Sequence, residues 1–187
     1  MRYILLAVSL LLTAPVAAQS AVKLPPGSIP WSAGRLLTPA DFKGRPRPDE
    51  GHAALTSANI NSGASCRNNI FLGTARASFD PATSWVRDAA HMTPALLRHE
   101  QLHFDITEVY ARRLRQQLRT LRLPCSDALG PAFRKISEAG YAAWQAAEDA
   151  YDRETNHGLL PAPQAAWEAR VRQQLTELAA YAEPEGS

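Results

Sequence analysis

The sequence predicts an α+β fold, in which a small, mainly antiparallel sheet precedes three helices. Short apolar runs separated by Gly and Pro fill residues 53–88, which is typical of strands and turns. After Thr93 the apolar residues recur with helical spacing instead. The chain has 187 residues, and about 170 of them would remain after removal of a leader, which is a usual length for one domain.

The first 18 residues have the layout of a secretory signal peptide. Met1-Arg2 gives a positive start, Ile4 to Leu12 is apolar, and small residues end at Ala18. The apolar run is too short to span a bilayer comfortably, so we expect no stable membrane anchor. Residues 19–187 then form a single domain, and we expect the mature protein to be periplasmic or secreted.

Charge and cysteine content narrow the function classes. The formal net charge of +2 falls to +1 when Arg2 is removed with the leader, and a near-neutral chain gives no argument for nucleic acid. Cys66 and Cys125 are the only cysteines. In an oxidising compartment such a pair most simply forms one disulfide, and the wide separation makes a zinc pair a poor alternative.

The N-terminal half predicts an extended arm followed by strands. Residues 19–50 are rich in Pro and Gly, which favours extended chain over helix. Four strand-like runs follow, separated by Gly63, Gly73 and Pro81. They are Ala54–Thr56, Ile70–Leu72, Ala75–Phe79 and Trp85–Val86.

Start and stop signals predict three helices. Thr93-Pro94 offers an N-cap and a Pro at the first helical position, and the helical pattern continues to Leu123-Pro124. A second helix runs from near Pro131 to Asn156, and Gly158 suits the left-handed position that ends a helix. A third begins near Pro163.

The first of these helices contains His99-Glu100-Gln101-Leu102-His103, an H-E-x-x-H pattern. Histidines four residues apart on a helix project from one face and can share one Zn²⁺ ion. Glu100 would lie beside the ion and take a proton from a zinc-activated water, as a general base does. A purely structural zinc site has no use for such a free carboxylate, so the pattern favours an enzyme.

A catalytic zinc site needs a third protein ligand. His157 is the first choice, because the turn at Gly158 would let its side chain point back at the first helix. Asp152 is the main alternative, and Glu148 is another, with Asp152 then behind it. Tyr151 is a second candidate catalytic residue, since a phenol can stabilise a developing oxyanion.

Five arginines follow the motif with no acidic residue among them. Their spacing spreads them around the helix, so we expect a solvated face, with contact to anionic envelope polymers or lipid as the alternative. They are Arg112, Arg113, Arg115, Arg119 and Arg122.

Several blocks of the chain, from about Trp31 to Trp167, resemble the bacterial domain-of-unknown-function family 922, described as predicted secreted zinc-dependent proteases. The blocks are Asp41-Phe42-x-Gly44, Ala53-x-Leu55-Thr56, Ser84-Trp85-Val86, Leu96 to Ile106, and Tyr151-Asp152-x-x-Thr155-x-His157-Gly158 with Trp167. The resemblance implies a secreted metalloprotease, and we expect the α+β fold to be zincin-like.

The predicted function is therefore a zinc metallopeptidase that hydrolyses peptide bonds in a peptide or protein substrate, in the cell envelope or outside the cell. Its substrate would lie along an edge strand of the small sheet. One alternative is a non-catalytic, zinc-stabilised envelope-binding protein, and another is a zinc hydrolase acting on a non-protein bond. The sequence leaves the oligomeric state open.

Overall fold

The computed structural model describes residues 22–121, 125–126 and 128–183, and it has the predicted α+β layout. Its strands are β1 (Ile29–Pro30), β2 (Ala54–Leu55), β3 (Ala58–Arg67), β4 (Ile70–Phe79) and β5 (Trp85–Val86). The helices are α1 (Pro94–Thr120), α2 (Leu129–Thr155) and α3 (Pro161–Glu177). The predicted signal peptide and the predicted helix stop at Leu123-Pro124 lie outside the described residues.

A long antiparallel hairpin forms the main sheet. β3 and β4 pair along their whole length, and β1 adds to the other edge of β4, in the order β1-β4-β3. Asn68 and Asn69 link the two long strands with φ of 51° and 60°. Two successive left-handed residues are the requirement of a type I′ hairpin turn. β2 and β5 form a separate antiparallel pair beside this sheet.

The sequence prediction missed β3 and interrupted β4 at Gly73. β3 is rich in Asn, Ser and Gly, which have little intrinsic strand preference, and its pairing with β4 overrides that preference. Gly73 lies inside β4 at a close approach: an added Cβ would be 2.8 Å from the Phe71 ring and 3.0 Å from Leu118 of α1. The glycine therefore allows the helix to pack tightly on the sheet.

The central element of the fold is α1, which is buried on two sides. One side packs on the sheet through Phe104, Ala111, Leu114 and Leu118, which meet Ala75, Ala77 and Phe79. The other side packs on α2 and α3 through Leu102, Ile106 and Val109, which meet Ala147, Tyr151, Trp167 and Val171. Because the helix carries the His-Glu motif, this double burial fixes the motif between the sheet and α2. In the described part of the chain, no helix is both long and apolar enough to cross a membrane.

Two of the arginines are buried, so the expectation of a solvated face is wrong for them. The side chains of Arg112 and Arg115 are 7% and 6% exposed, and their guanidinium groups share one carboxylate oxygen of Glu108 at 2.8 and 2.6 Å. Arg112 also donates to the Leu175 carbonyl, and Arg115 to that of Tyr181. The group thus fastens the C-terminal segment to α1.

Cys66 and Cys125 form a disulfide, as the sequence predicts, with their Sγ atoms 2.15 Å apart. The bond joins the end of β3 to the connection between α1 and α2. It closes a loop with a sequence separation of 59 residues, for which a chain-entropy model gives about 4 kcal/mol of stabilisation.

Candidate metal centre

Three side chains converge between α1 and α2. The Nε2 atoms of His99 and His103 are 3.2 Å apart, and Asp152 Oδ1 is 3.2 Å from the first and 3.1 Å from the second. Within the described residues, these three side chains form the group of His, Cys, Asp or Glu that could hold one metal ion. One ligand atom of each lies within 4.8 Å of the other two.

The spacing and chemistry of this group fit a metal ion. A tetrahedral zinc with bonds of about 2.0–2.1 Å places its ligand atoms roughly 3.3 Å apart. Asp152 Oδ1 is buried, yet no group in the described residues gives it a well-aligned hydrogen bond. A buried carboxylate oxygen is normally satisfied, and a cation at the convergence point would satisfy this one.

The protonation of the group is set by its own contacts. Burial lowers the pKa of His103, but its contacts with the Asp152 and Glu148 carboxylates outweigh burial and raise that pKa to about 10. Burial raises the pKa of Asp152, but its contacts with His103 and His99 outweigh burial and hold that pKa well below its usual range. A metal ion would replace the proton that these residues otherwise share, so metal binding should release protons.

His103 is oriented by a carboxylate behind it. Its Nδ1 lies 2.6 Å from Glu148 Oε2, and because a carboxylate only accepts, Nδ1 donates to Glu148 and Nε2 is the nitrogen that a metal would bind after displacing its proton. Glu148 is itself held by Trp144 Nε1 at 2.7 Å and by the Thr107 hydroxyl at 3.3 Å. This arrangement reverses the alternative in which Glu148 is on the metal and Asp152 is behind it.

His99 is oriented by Gln164 of α3. Gln164 Nε2 donates to Glu168, so Oε1 is the acceptor that faces His99 Nδ1 at 3.3 Å. The same oxygen accepts from the Tyr151 hydroxyl at 2.8 Å. Nε2 is therefore the nitrogen of His99 that faces the convergence point. Sequence reasoning missed Gln164, because nothing local relates a glutamine at the start of α3 to a histidine in α1.

Tyr151 supports His99 and does not face the cavity. Its side chain is fully buried, its ring stacks on the His99 ring at 4.7 Å, and its hydroxyl lies 3.2 Å from the His99 carbonyl. Burial raises the pKa of the phenol far above its usual range, so the group stays protonated. The structure thus favours a positioning role and does not support the predicted catalytic role.

Glu100 lies beside the three converging groups and is held by the strand region. Its side chain is buried, and its Oε2 accepts a hydrogen bond from Thr56 Oγ1 at 2.7 Å. Thr56 lies between β2 and β3, so the sheet orients the carboxylate. Oε1 has no hydrogen-bond partner among the described residues, which leaves it for a ligand.

His157, the first choice for the third ligand, lies at the rim of the site. Its side chain is half-exposed, and its Nδ1 is 3.5 Å from Asp152 Oδ1. Its ring lies 5.0 Å from that of His52. Asp152, not His157, belongs to the group that could share an ion, so the structure favours the main alternative, Asp152, as the third ligand. The reason is the left-handed turn after α2, which leaves the His157 ring outside the convergence point.

Gly158 is required by this geometry on two counts. Its φ is +79°, and an added Cβ would be 2.8 Å from Cγ of His99 and 2.9 Å from Cβ of His99. The close approach seats the end of the turn directly against the His99 ring, so no side chain fits there.

We therefore expect Gly158→Ala to weaken zinc binding at least about tenfold, as loss of a residue that orients a ligand does. Gly27→Ala is the matched control, because Gly27 has a φ of +81° but no atom within 4 Å of the added Cβ. Gly27→Ala therefore introduces the same backbone strain as Gly158→Ala but no close contact with a neighbouring atom. Equal zinc affinities of the two variants, measured by competition with a chelator, would contradict this role for Gly158.

The converging groups open onto a cavity of about 940 Å³. Its walls come from residues 51–58, α1, α2 and the turn after α2, and Glu100, His99, His103, Asp152 and His157 all line it. A cavity of this volume is at the upper end of usual ligand pockets and can hold an extended segment of a substrate.

Fold and site together define an α+β protein with a candidate metal centre built on a helix-borne H-E-x-x-H pattern. The chain belongs to DUF922, a family of bacterial proteins of unknown function, whose pattern matches residues 35–158. The match includes the converging residues and the turn at Gly158, whereas Gln164 lies beyond it. No curated protein and no solved structure matches the chain.

Proposed function

We propose that the protein is a secreted zinc metallopeptidase in which Glu100 is the general base. The observation that carries the proposal is the convergence of His99, His103 and Asp152 beside the free Oε1 of a buried glutamate, inside an open cavity. Two imidazoles and a carboxylate are a ligand set that zinc enzymes use, with a further position left for water or substrate. A bound zinc ion would supply Lewis-acid activation of that water and of the substrate carbonyl.

The residues around the metal position would then have separate roles in the reaction. Glu148 and Gln164 hold the two imidazoles with their Nε2 lone pairs towards the centre. Glu100, oriented by Thr56, accepts the proton of the attacking water and passes it to the leaving amine. Fixing these groups in advance lowers the reorganisation needed during reaction.

The short strand β2 supports a peptide as the substrate. Ala54 and Leu55 line the cavity, and among the described residues β2 has a ladder partner, β5, on one side only. A free strand edge beside reacting groups can pair with an extended peptide through main-chain hydrogen bonds. The disulfide fits an oxidising compartment, which supports a periplasmic or secreted location.

The test combines metal removal with a search for cleavage. Purified protein should contain near one zinc per chain, and incubation with an envelope extract should generate new peptide termini, read by mass spectrometry. Chelator-treated protein should generate none, and restored zinc should restore the same termini. If zinc-loaded protein generates no new termini, the alternative of a zinc-stabilised binding protein replaces this proposal.

A further inference from the structure

We propose that His157 donates a hydrogen bond to the substrate oxygen on which negative charge develops during hydrolysis. This inference rests on the proposed function and adds a further catalytic residue to it. It also gives a role to the histidine that the revised ligand set leaves unused.

The position of the His157 ring is the first observation that supports this role. His157 lines the same cavity as Glu100 and the three converging groups. Its Nδ1 is 3.5 Å from Asp152 Oδ1, which in turn lies 3.1–3.2 Å from both imidazole Nε2 atoms. The ring is therefore adjacent to the convergence point without being part of it. A group that contacts a reacting oxygen has to lie in such a position.

The free Nε2 atom of the His157 ring is the second observation. Nδ1 is turned towards Asp152, and Nε2 has no hydrogen-bond partner among the described residues. The side chain is half-exposed within the cavity wall, so a ligand can reach it. Among the described residues, Asp152 Oδ1 accepts no hydrogen bond that would hold a proton on Nδ1, so the neutral ring can carry its N–H on Nε2 and donate from there.

Three other donors near the converging groups are already engaged, whereas His52 and Gln145 line the cavity without a contact to those groups among the described residues. The Thr56 hydroxyl donates to Glu100, and Trp144 Nε1 donates to Glu148. The Tyr151 hydroxyl is fully buried against Gln164 and the His99 carbonyl. The residues that line the cavity include no Lys or Arg. His157 is thus the polar side chain with a free nitrogen that lies next to Asp152.

The backbone holds the ring in place at a cost. Asn156 and His157 have φ of 47° and 54°, a left-handed conformation that is unfavourable for a residue with a side chain. The amide of His157 donates to the Asp152 carbonyl at 2.9 Å, and that of Gly158 to Thr155 Oγ1 at 3.1 Å. Strain that is held by such bonds is concentrated at functional sites in proteins.

The ring is supported from the other side as well. His52 packs against it, and the segment that carries His52 is fixed because Arg87 Nε donates to the His52 carbonyl at 3.1 Å. The imidazole is therefore held between the turn after α2 and the segment before β2. A donor fixed in this way does not need to reorganise when charge develops on its partner.

The left-handed backbone decides the choice of variants. His157→Gly removes the donor, and glycine adopts positive φ freely. His157→Asn keeps an N–H donor, and asparagine also tolerates positive φ. His91→Ala is the control, because His91 is exposed and pairs with Asp88 outside the cavity.

In zinc-loaded protein, we expect His157→Gly to reduce kcat about 10²-fold, as removal of one oxyanion donor does. KM and zinc content should change less than threefold. His157→Asn should recover at least tenfold of the lost kcat, and His91→Ala should match the wild type. The substrate is a quenched fluorescent peptide containing the first cleavage site found in the envelope extract.

A binding measurement makes the result independent of turnover. A phosphoramidate dipeptide carries a tetrahedral anionic oxygen, and its affinity should fall about 10²-fold in His157→Gly, in parallel with kcat. Acetohydroxamate chelates zinc through a planar group and has no tetrahedral anionic centre, and its affinity should stay unchanged. Wild-type turnover together with unaltered kcat and phosphoramidate affinity in His157→Gly overturns this inference and leaves the proposed function intact. Loss of zinc from His157→Gly overturns it too, since it would make His157 a ligand. Absence of turnover in the zinc-loaded wild type contradicts the proposed function itself.

Discussion

Glu100→Gln is expected to retain zinc and fold normally while its peptidase turnover falls by about 10²–10⁴-fold, the usual contribution of general-base assistance. Glutamine has the same size, and its amide oxygen can still accept the hydrogen bond from Thr56 that Oε2 accepts now. It cannot take a proton from water. Glu100 is not among the groups that converge on the metal position, so the substitution should spare metal binding.

The measurement compares zinc-loaded wild type with zinc-loaded Glu100→Gln in the same envelope extract. Glu177→Gln is the matched control, because Glu177 ends α3 and its carboxylate contacts an exposed glutamine, Gln173. New peptide termini should appear with the wild type and Glu177→Gln and be nearly absent with Glu100→Gln. The same termini from all three proteins would contradict the peptidase proposal, whatever their zinc content. A binding protein predicts that Glu100→Gln leaves every measurable property intact.

The part of the site that the sequence predicted depends on the geometry of one helix. The spacing of His99 and His103 fixes their common face, and Thr93-Pro94 fixes where that helix begins: Thr93 Oγ1 accepts from the Leu96 amide at 3.1 Å. These relations act within a few residues, so they can be read without knowing the rest of the fold. The two ends of α2 and the start of α3 are predictable, to within about two residues, for the same reason.

The choice between Asp152 and His157 was not predictable in this way. Asp152 lies in the last turn of α2 and His157 lies just after the helix, and either could reach α1 in principle. The outcome depends on how α1 and α2 pack and on a run of three left-handed residues that begins at Asn156. Gly158 indicated a turn after α2, but nothing in the sequence indicated that His157 would also adopt a positive φ.

The groups that orient the site were unpredictable because they come from distant elements. Thr56 precedes Glu100 by 44 residues, and Gln164 follows His99 by 65. A similar limit applies to Arg112 and Arg115, whose spacing indicates a solvated face. Their burial depends on Glu108 and on the returning C-terminal segment. Patterns in one amino-acid sequence indicate local geometry, whereas these contacts form only when the helices and strands have packed together.

Asp152→Ala is expected to lower zinc affinity by more than about 100-fold, the upper limit usually seen when a residue behind a ligand is removed. The substitution takes away the one anionic member of the converging group and leaves His99 and His103 as its remaining members. Asp149→Ala is the matched control, since Asp149 lies on the same helix and lines the same cavity but is outside that group.

The comparison with His157→Gly decides the third ligand. Zinc affinities of the three variants can be measured by competition with a chromogenic chelator at one pH, because ligand protonation makes the affinity pH-dependent. With Asp152 as the ligand, Asp152→Ala loses zinc, whereas His157→Gly and Asp149→Ala stay within threefold of the wild type. The reverse order would restore His157 as the ligand. It would mean that the turn after α2 moves to bring the imidazole inwards when zinc binds, and that Asp152 supports that imidazole from behind.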